Sequence, residues 1–151
     1  MSVASDKEIL TLVRRAAMNL LARREHSASE LRQKLAQRFK EYPGQVRQII
    51  NDLADNGLQS DERFTESFIN HRAGKGYGAG RILRELEQKG IDESLAGRLL
   101  TQADINWLDI LQKQYEKKYR AVPPQSPEEK AQYIRFFLYR GFSHSQIKEL
   151  F

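Results

Sequence analysis

The chain has 151 residues, no cysteine, and 25 lysines and arginines against 20 aspartates and glutamates, a formal net charge of +5. That length suits one ordinary domain or a few small repeats on a shared core, and the lack of cysteine excludes disulfides and cysteine-based metal or redox chemistry. The modest positive charge permits a polyanionic partner without requiring one. The start, MSVASDKEIL, has neither the basic nor the apolar region of a signal peptide. No apolar run approaches the ~20 residues of a membrane span, so a soluble, cytoplasmic protein is expected.

Helix signals recur from end to end, and no strand-like alternation does. Ser5-x-x-Glu8 is a capping box, followed by Ile9, Val13, Ala16, Leu20 and Leu21 on one face, which predicts a helix over about 6–25. Ser27-x-x-Glu30 opens a second helix with Leu31, Leu35 and Phe39 in line. Pro43 suits the first turn of a third, on Val46, Ile49, Ile50 and Leu53, with Asn56-Gly57 as its stop. Asp61-Glu62 begins a fourth, through Phe64 and Phe68 to about Ala73. A fifth spans Gly80 to Lys89 on Ile82, Leu83 and Leu86 before Gly90, and Asp92 is placed to cap a sixth on Leu95, Leu99 and Leu100. Trp107, Leu111 and Tyr115 mark a seventh, from about Ile105 to Tyr119. After the Pro-rich AVPPQSP loop, Ser126-Pro127-Glu128-Glu129 starts an eighth that ends at Arg140-Gly141, and Ser143-x-x-Gln146 caps the last. The expected fold class is all-α, with about nine short helices.

The chain also repeats itself. With Leu31, Ile82 and Ile147 in register, the residue four positions on is Leu35, Leu86 or Phe151. Four before stand Ser27, Gly78 and Ser143; five before, the rings His26, Tyr77 and Phe142; seven before, the bases Arg24, Lys75 and Arg140. A base, a ring and a Ser/Gly helix start therefore recur at intervals of 51 and 65 residues.

This register bears on the glycine-rich stretch HRAGKGYGAGRILRELEQKG. It is not a phosphate loop: the position five before Gly74 is Ile69, Lys75 is followed by Gly76 rather than Ser or Thr, and a helix rather than a strand precedes it. The dinucleotide fingerprint fails as well, since its third glycine falls on Arg81. Gly76 and Gly141 instead read as helix ends that need a positive φ. Around the loop stand Arg72, Lys75, Arg81, Arg84 and Lys89 against Glu85 and Glu87, whereas residues 51–100 as a whole carry seven bases and nine acids. Base is thus concentrated beside Tyr77, a composition suited to an anion or a protein groove. The plainer reading is a solvated face laced by pairs such as Arg81–Glu85 and Glu85–Lys89.

Nothing points to catalysis. His26, His71 and His144 lie in three separate turn or helix-end regions without metal-ligand spacing, and the carboxylates sit on polar helix faces. No enzyme, metal or cofactor is expected.

The segments ARREHSASELRQKL, SDERFTESFINHRAGKGYGAGRILRELEQKGI and FLYRGFSHSQIKEL resemble the three blocks of the RecX family, bacterial regulators of the RecA recombinase. The likeness runs from about Leu12 to Ile147. It is densest in the middle block, at Asp61, Arg63, Phe64, Arg72, Lys75-Gly76-Tyr77-Gly78, Arg81-Ile82, Glu85-Leu86 and Lys89-Gly90-Ile91. Where that family usually has Tyr-Leu-Asp-Asp, this chain has Leu58-Gln59-Ser60-Asp61.

The resemblance implies an elongated, curved molecule of three tandem three-helix repeats, divided at 6–57, 58–104 and 105–151, the last with its Pro-rich loop near 121–127. It further implies a non-enzymatic, monomeric negative modulator. Such a protein binds the RecA filament on single-stranded DNA and limits its ATP hydrolysis, strand exchange and the co-protease activity behind the SOS response. Single-stranded DNA alone would be a weak ligand, and no membrane is involved. The family brings no residue-level site. From the repeat and the charge pattern, Arg24, Arg72, Lys75, Tyr77, Arg81, Arg84, Lys89, Arg140 and Phe142 are the candidate contacts, bases for carboxylates or phosphates and rings as anchors. The alternative is a helix-turn-helix-like DNA-binding protein acting without RecA. Against it stand the modest charge and a middle turn longer than the usual 3–4 residues. A helical adaptor for another protein is the third reading.

Overall fold

The computed structural model describes residues 4–151. Among them the fold is all-helical, with nine α-helices and no strand: α1 (Asp6–Arg23), α2 (Ala28–Arg38), α3 (Pro43–Asp55), α4 (Asp61–Gly74), α5 (Ala79–Gln88), α6 (Glu93–Gln102), α7 (Trp107–Tyr119), α8 (Pro127–Tyr139) and α9 (His144–Lys148).

The starts follow the expected capping chemistry, with exceptions that have local causes. Complete capping boxes form at α2, with Glu30 N donating to Ser27 Oγ at 3.0 Å and Ser27 N to Glu30 Oε1 at 3.1 Å, and at α9 between Ser143 and Gln146. At Ser126 only the serine half is made, because the Glu129 carboxylate accepts the Tyr133 hydroxyl at 3.0 Å instead. Asp92 precedes α6 without a side-chain cap bond. The seventh helix starts at Trp107 rather than near Ile105, since Asn106 Oδ1 accepts the Asp109 amide at 3.0 Å and sets the cap there. That helix ends without a glycine: Arg120 and Ala121 both take left-handed backbone, at φ +53° and +57°.

Packing divides the chain into two compact units. One comprises the described residues up to Thr65 together with Lys89–Ile91. Its core is Ile9, Val13, Ala16 and Ala17 of α1, Leu31 and Leu35 of α2, and Val46, Ile49, Ile50 and Leu53 of α3, with α1 and α2 both packed on α3. Leu20, Leu21 and Phe39 lie at its edge, half in solvent. Asp61 does more here than favour its helix start. Its Oδ1 accepts the Ala28 amide at 2.9 Å and the Gln59 side-chain amide at 3.0 Å, while Gln59 also donates to His26 O.

The other unit comprises Glu66–Gln88 and Asp92–Phe151. Here α5 packs on α6, where Ala96 and Leu99 point inward and Leu95 and Leu100 are half-exposed. Its second part is aromatic: Leu111, Tyr115, Tyr133, Phe137, Phe142 and Ile147 are buried together. Tyr119 stacks on Tyr133 at 3.7 Å between ring centres, and Tyr115 meets Phe137 edge-on at 6.2 Å. The Tyr133 hydroxyl, whose one proton is shared between the Glu129 carboxylate and a second acceptor, also lies 3.2 Å from Val122 O, which ties the Pro-rich loop to α8. Burial, the Glu129 carboxylate beside it and the neighbouring tyrosines push the Tyr133 phenol up to about 12.

A tyrosine-centred arginine cluster as candidate functional site

Two turns meet backbone to backbone to build the site. At the end of α4 the Gly76 backbone reverses at φ +91°, and after α8 the Gly141 backbone does so at φ +105°. Gly78 N then donates to Arg140 O at 2.8 Å, and Gly80 N to Gly141 O at 3.0 Å. The approach is too close for a side chain: a Cβ on Gly78 would lie 2.6 Å from the Gly141 carbonyl carbon. This explains why the middle turn holds more glycine than a helix stop needs.

The docked turns bring three guanidinium groups onto the ring of Tyr77. Arg72, from the last turn of α4, lies 3.9 Å from the ring centre, Arg140 4.2 Å and Arg81, from the first turn of α5, 4.4 Å. Each contact is worth about 0.5–1 kcal/mol at an exposed site, more where water is excluded. One carboxylate serves this group. Arg72 holds Glu85 through two bonds of 2.9 and 2.8 Å, and Arg81 approaches the same carboxylate at 4.0 Å. Burial alone would ease Arg72 toward its neutral form, but the Glu85 pair outweighs it and raises its pKa. Arg140 donates instead to Gln114 Oε1 at 2.8 Å and to Lys75 O at 3.3 Å, and its Nε is buried without a partner among the described residues.

Among the described residues three cations and one carboxylate meet here, which leaves two positive charges uncompensated around one ring. Arg81 extends the stack outward, 4.9 Å from the ring centre of Tyr139, which is 71% exposed. Lys75 and Arg84 stand exposed at the margin. Such a surface offers guanidinium edges to carboxylates or phosphates and aromatic faces to planar or apolar groups.

Of the nine residues singled out from sequence, Arg72, Lys75, Tyr77, Arg81, Arg84 and Arg140 fall in this unit. Phe142 does too, but its ring is 3% exposed in the aromatic core, which leaves it no surface for a partner. Arg24 and Lys89 belong to the other unit, where both bind Glu30, Arg24 through bonds of 3.2 and 3.1 Å and Lys89 at 3.1 Å. Lys89 therefore pairs with Glu30 rather than with Glu85 four residues before it, whose carboxylate is taken by Arg72 and Arg81. Burial pushes the Glu30 carboxyl upward. The bonds from Arg24, the Ser27 amide and Lys89 overcome that and hold it at about 2. Beside it, His26 is 2% exposed. Its Nδ1 lies 3.1 Å from Arg24 O and its Nε2 2.9 Å from Lys34 Nζ, an arrangement that suits the neutral ring donating at Nδ1 and accepting at Nε2. Burial lowers the pKa of both His26 and Lys34.

Sequence reasoning placed Glu85 in the cluster as a partner of Arg81 but not of Arg72, and it missed Tyr139 and Gln114 as members. The first had a legible signal, an aromatic residue in the last turn of a helix beside Arg140. Gln114 had none, because only the docking of two distant turns brings it to Arg140. Among the described residues no group of His, Cys, Asp and Glu could hold a metal ion, and no helix is long and apolar enough to cross a membrane.

Among the described residues the chain is an all-helical protein with a cationic aromatic surface. Three family models match the chain: the first three-helix domain of RecX at residues 14–48, the second at 60–100 and the third at 104–151. The chain belongs to the RecX family. It is 42% identical over 139 residues to regulatory protein RecX of Pseudomonas entomophila (strain L48), covering 91% of this chain and 88% of that one. With regulatory protein RecX of Pseudomonas putida (strain W619) it shares 41% over 154 residues, covering 99% and 94%. The crystal structure of RecX from Lactobacillus salivarius shares its fold at a TM-score of 0.75, with 22% identity and 93% of each chain covered. A regulatory role follows from this membership.

Proposed function

We propose that this chain is a negative modulator of RecA, binding the RecA filament on single-stranded DNA and limiting its ATPase, strand exchange and co-protease activity. Membership of the RecX family supports the partner. The observation that carries a binding surface is the ring of Tyr77 under three arginines with a single counter-ion. Carboxylates of a protein groove or phosphates of filament DNA satisfy the two remaining charges, and Tyr139 provides an exposed ring beside them.

The test is RecA's single-strand-dependent ATP hydrolysis on preformed filaments, with DNA in excess and this protein substoichiometric. A progressive fall is expected, which sequestration of DNA cannot produce. Lys75→Glu with Arg84→Glu changes two exposed side chains outside the Tyr77 stack and should raise the amount of protein needed by roughly tenfold, as for reversed charges at an interface rim. Undiminished inhibition by that variant would remove the cluster from the interface. Absence of any inhibition, with tight and salt-steep binding to duplex DNA alone, would replace this reading with the helix-turn-helix one.

A further inference from the structure

A second feature lies apart from the arginine cluster. Between α8 and α9 the surface sinks into a depression of about 250 Å³ lined by Lys130, Ile134, His144, Ile147, Lys148 and Phe151. Its floor is apolar: Ile147 is 1% exposed, and Ile134 and Phe151 are half-buried against the aromatic core. Its rim is basic. Lys130 and Lys148 are exposed, as is His144, and none of the three side chains has an ion pair or hydrogen bond among the described residues. No aspartate or glutamate side chain lines it.

We infer that this depression binds an acidic peptide segment of a partner protein, seating one large apolar side chain on the isoleucine floor between carboxylates held by Lys130 and Lys148. Size and charge select the occupant. The volume falls short of the about 300–1,000 Å³ typical of whole small-molecule sites, which fits one side chain and the backbone carrying it. Unpaired lysines on two sides of an apolar floor attract carboxylates on either side of that residue. A nucleic acid is the competing occupant, since Phe151 and His144 also present rings here, and it enters the test as a competitor.

The proposal stands independently of the RecA reading, and its assay contains no RecA. The probe is a fluorescein-labelled peptide, Asp-Asp-Glu-Phe-Glu-Asp-Asp, titrated with the full chain by fluorescence anisotropy. Two companions separate the contributions, one with serine in place of phenylalanine and one with lysines in place of the acids. Saturable binding of the first is expected, weakened about tenfold or more by the serine and abolished by the lysines. Lys130→Glu with Lys148→Glu, both at exposed positions, should weaken it by at least about tenfold while the circular dichroism of the native chain is retained. Equal binding of the phenylalanine and serine peptides would reduce the site to general charge attraction and overturn the proposal. So would indifference to the lysine reversals, absence of saturable binding, or displacement of the peptide by oligothymidylate that the same reversals abolish.

Discussion

The Glu30 network allows a quantitative test of what holds the first unit together. The substitution Glu30→Gln keeps the shape, and glutamine at the third helical position can still complete the capping box with Ser27, so the change isolates the charge. The gap between the carboxyl's ordinary 4.5 and its value of about 2 corresponds to about 3 kcal/mol. Its partners are well solvated, however, with Arg24 and Lys89 side chains 49% and 39% exposed. Screening at these groups leaves roughly half, ~1.5 kcal/mol. Because the folded carboxyl is the stronger acid, this contribution is complete above 4.5 and disappears as pH falls through about 2. Urea unfolding of both proteins, followed by circular dichroism across that range, should show a deficit of about 1.5 kcal/mol at neutral pH that closes on acidification. His26, whose pKa burial lowers, also costs stability as pH drops below 6.5, but it does so in both proteins, and Glu30 is the least of the influences acting on it. A deficit that persisted unchanged to about pH 2, or one below about 0.5 kcal/mol at neutral pH, would refute the charge network as the cause.

Two further substitutions and a titration probe the second unit. Gly78→Ala should destabilise by more than about 2 kcal/mol in thermal unfolding, because its Cβ meets the Gly141 backbone at 2.6 Å. Gly74→Ala, with nothing within 4 Å of the added carbon, should be neutral or up to about 1 kcal/mol stabilising; equal effects would refute the backbone-docking account. Burial raises the pKa of Tyr115, Tyr119 and Tyr133. Phenolate absorbance from these three should therefore develop only above the ordinary 10. A single stage near the ordinary 10 would show that the aromatic core is open to solvent.

Local chemistry made the helices legible. Serine caps, Pro43 and Pro127 in first turns and the glycine stops act over three or four residues, so the sequence displays them directly. Where a side chain had two uses for one group, the pattern misled. Glu129 was expected to close a capping box but is claimed by Tyr133, and Lys89 was expected beside Glu85 but reaches Glu30, 59 positions earlier in the chain. The candidate site was legible in composition alone. An excess of base around one tyrosine could be counted, whereas the stacking of Arg72, Arg81 and Arg140 on its ring depends on two turns 65 residues apart coming together.

The ring position of the repeat shows why identity and register do not settle role. His26, Tyr77 and Phe142 occupy the same place before a helix start, yet they meet different surroundings. Phe142 closes a core of other aromatic residues and needs no polar partner. His26 is equally buried, which its ring tolerates because Arg24 O and Lys34 satisfy both nitrogens. Tyr77 alone is half-exposed, because its neighbours are guanidinium groups whose charges must face water or a ligand. What packs around the ring, not its register, therefore decides whether it becomes core or surface. It follows that substituting Tyr77 itself cannot distinguish binding from folding, since the ring also spaces three like charges. Lys75 and Arg84, exposed and outside the stack, are the positions at which the two separate.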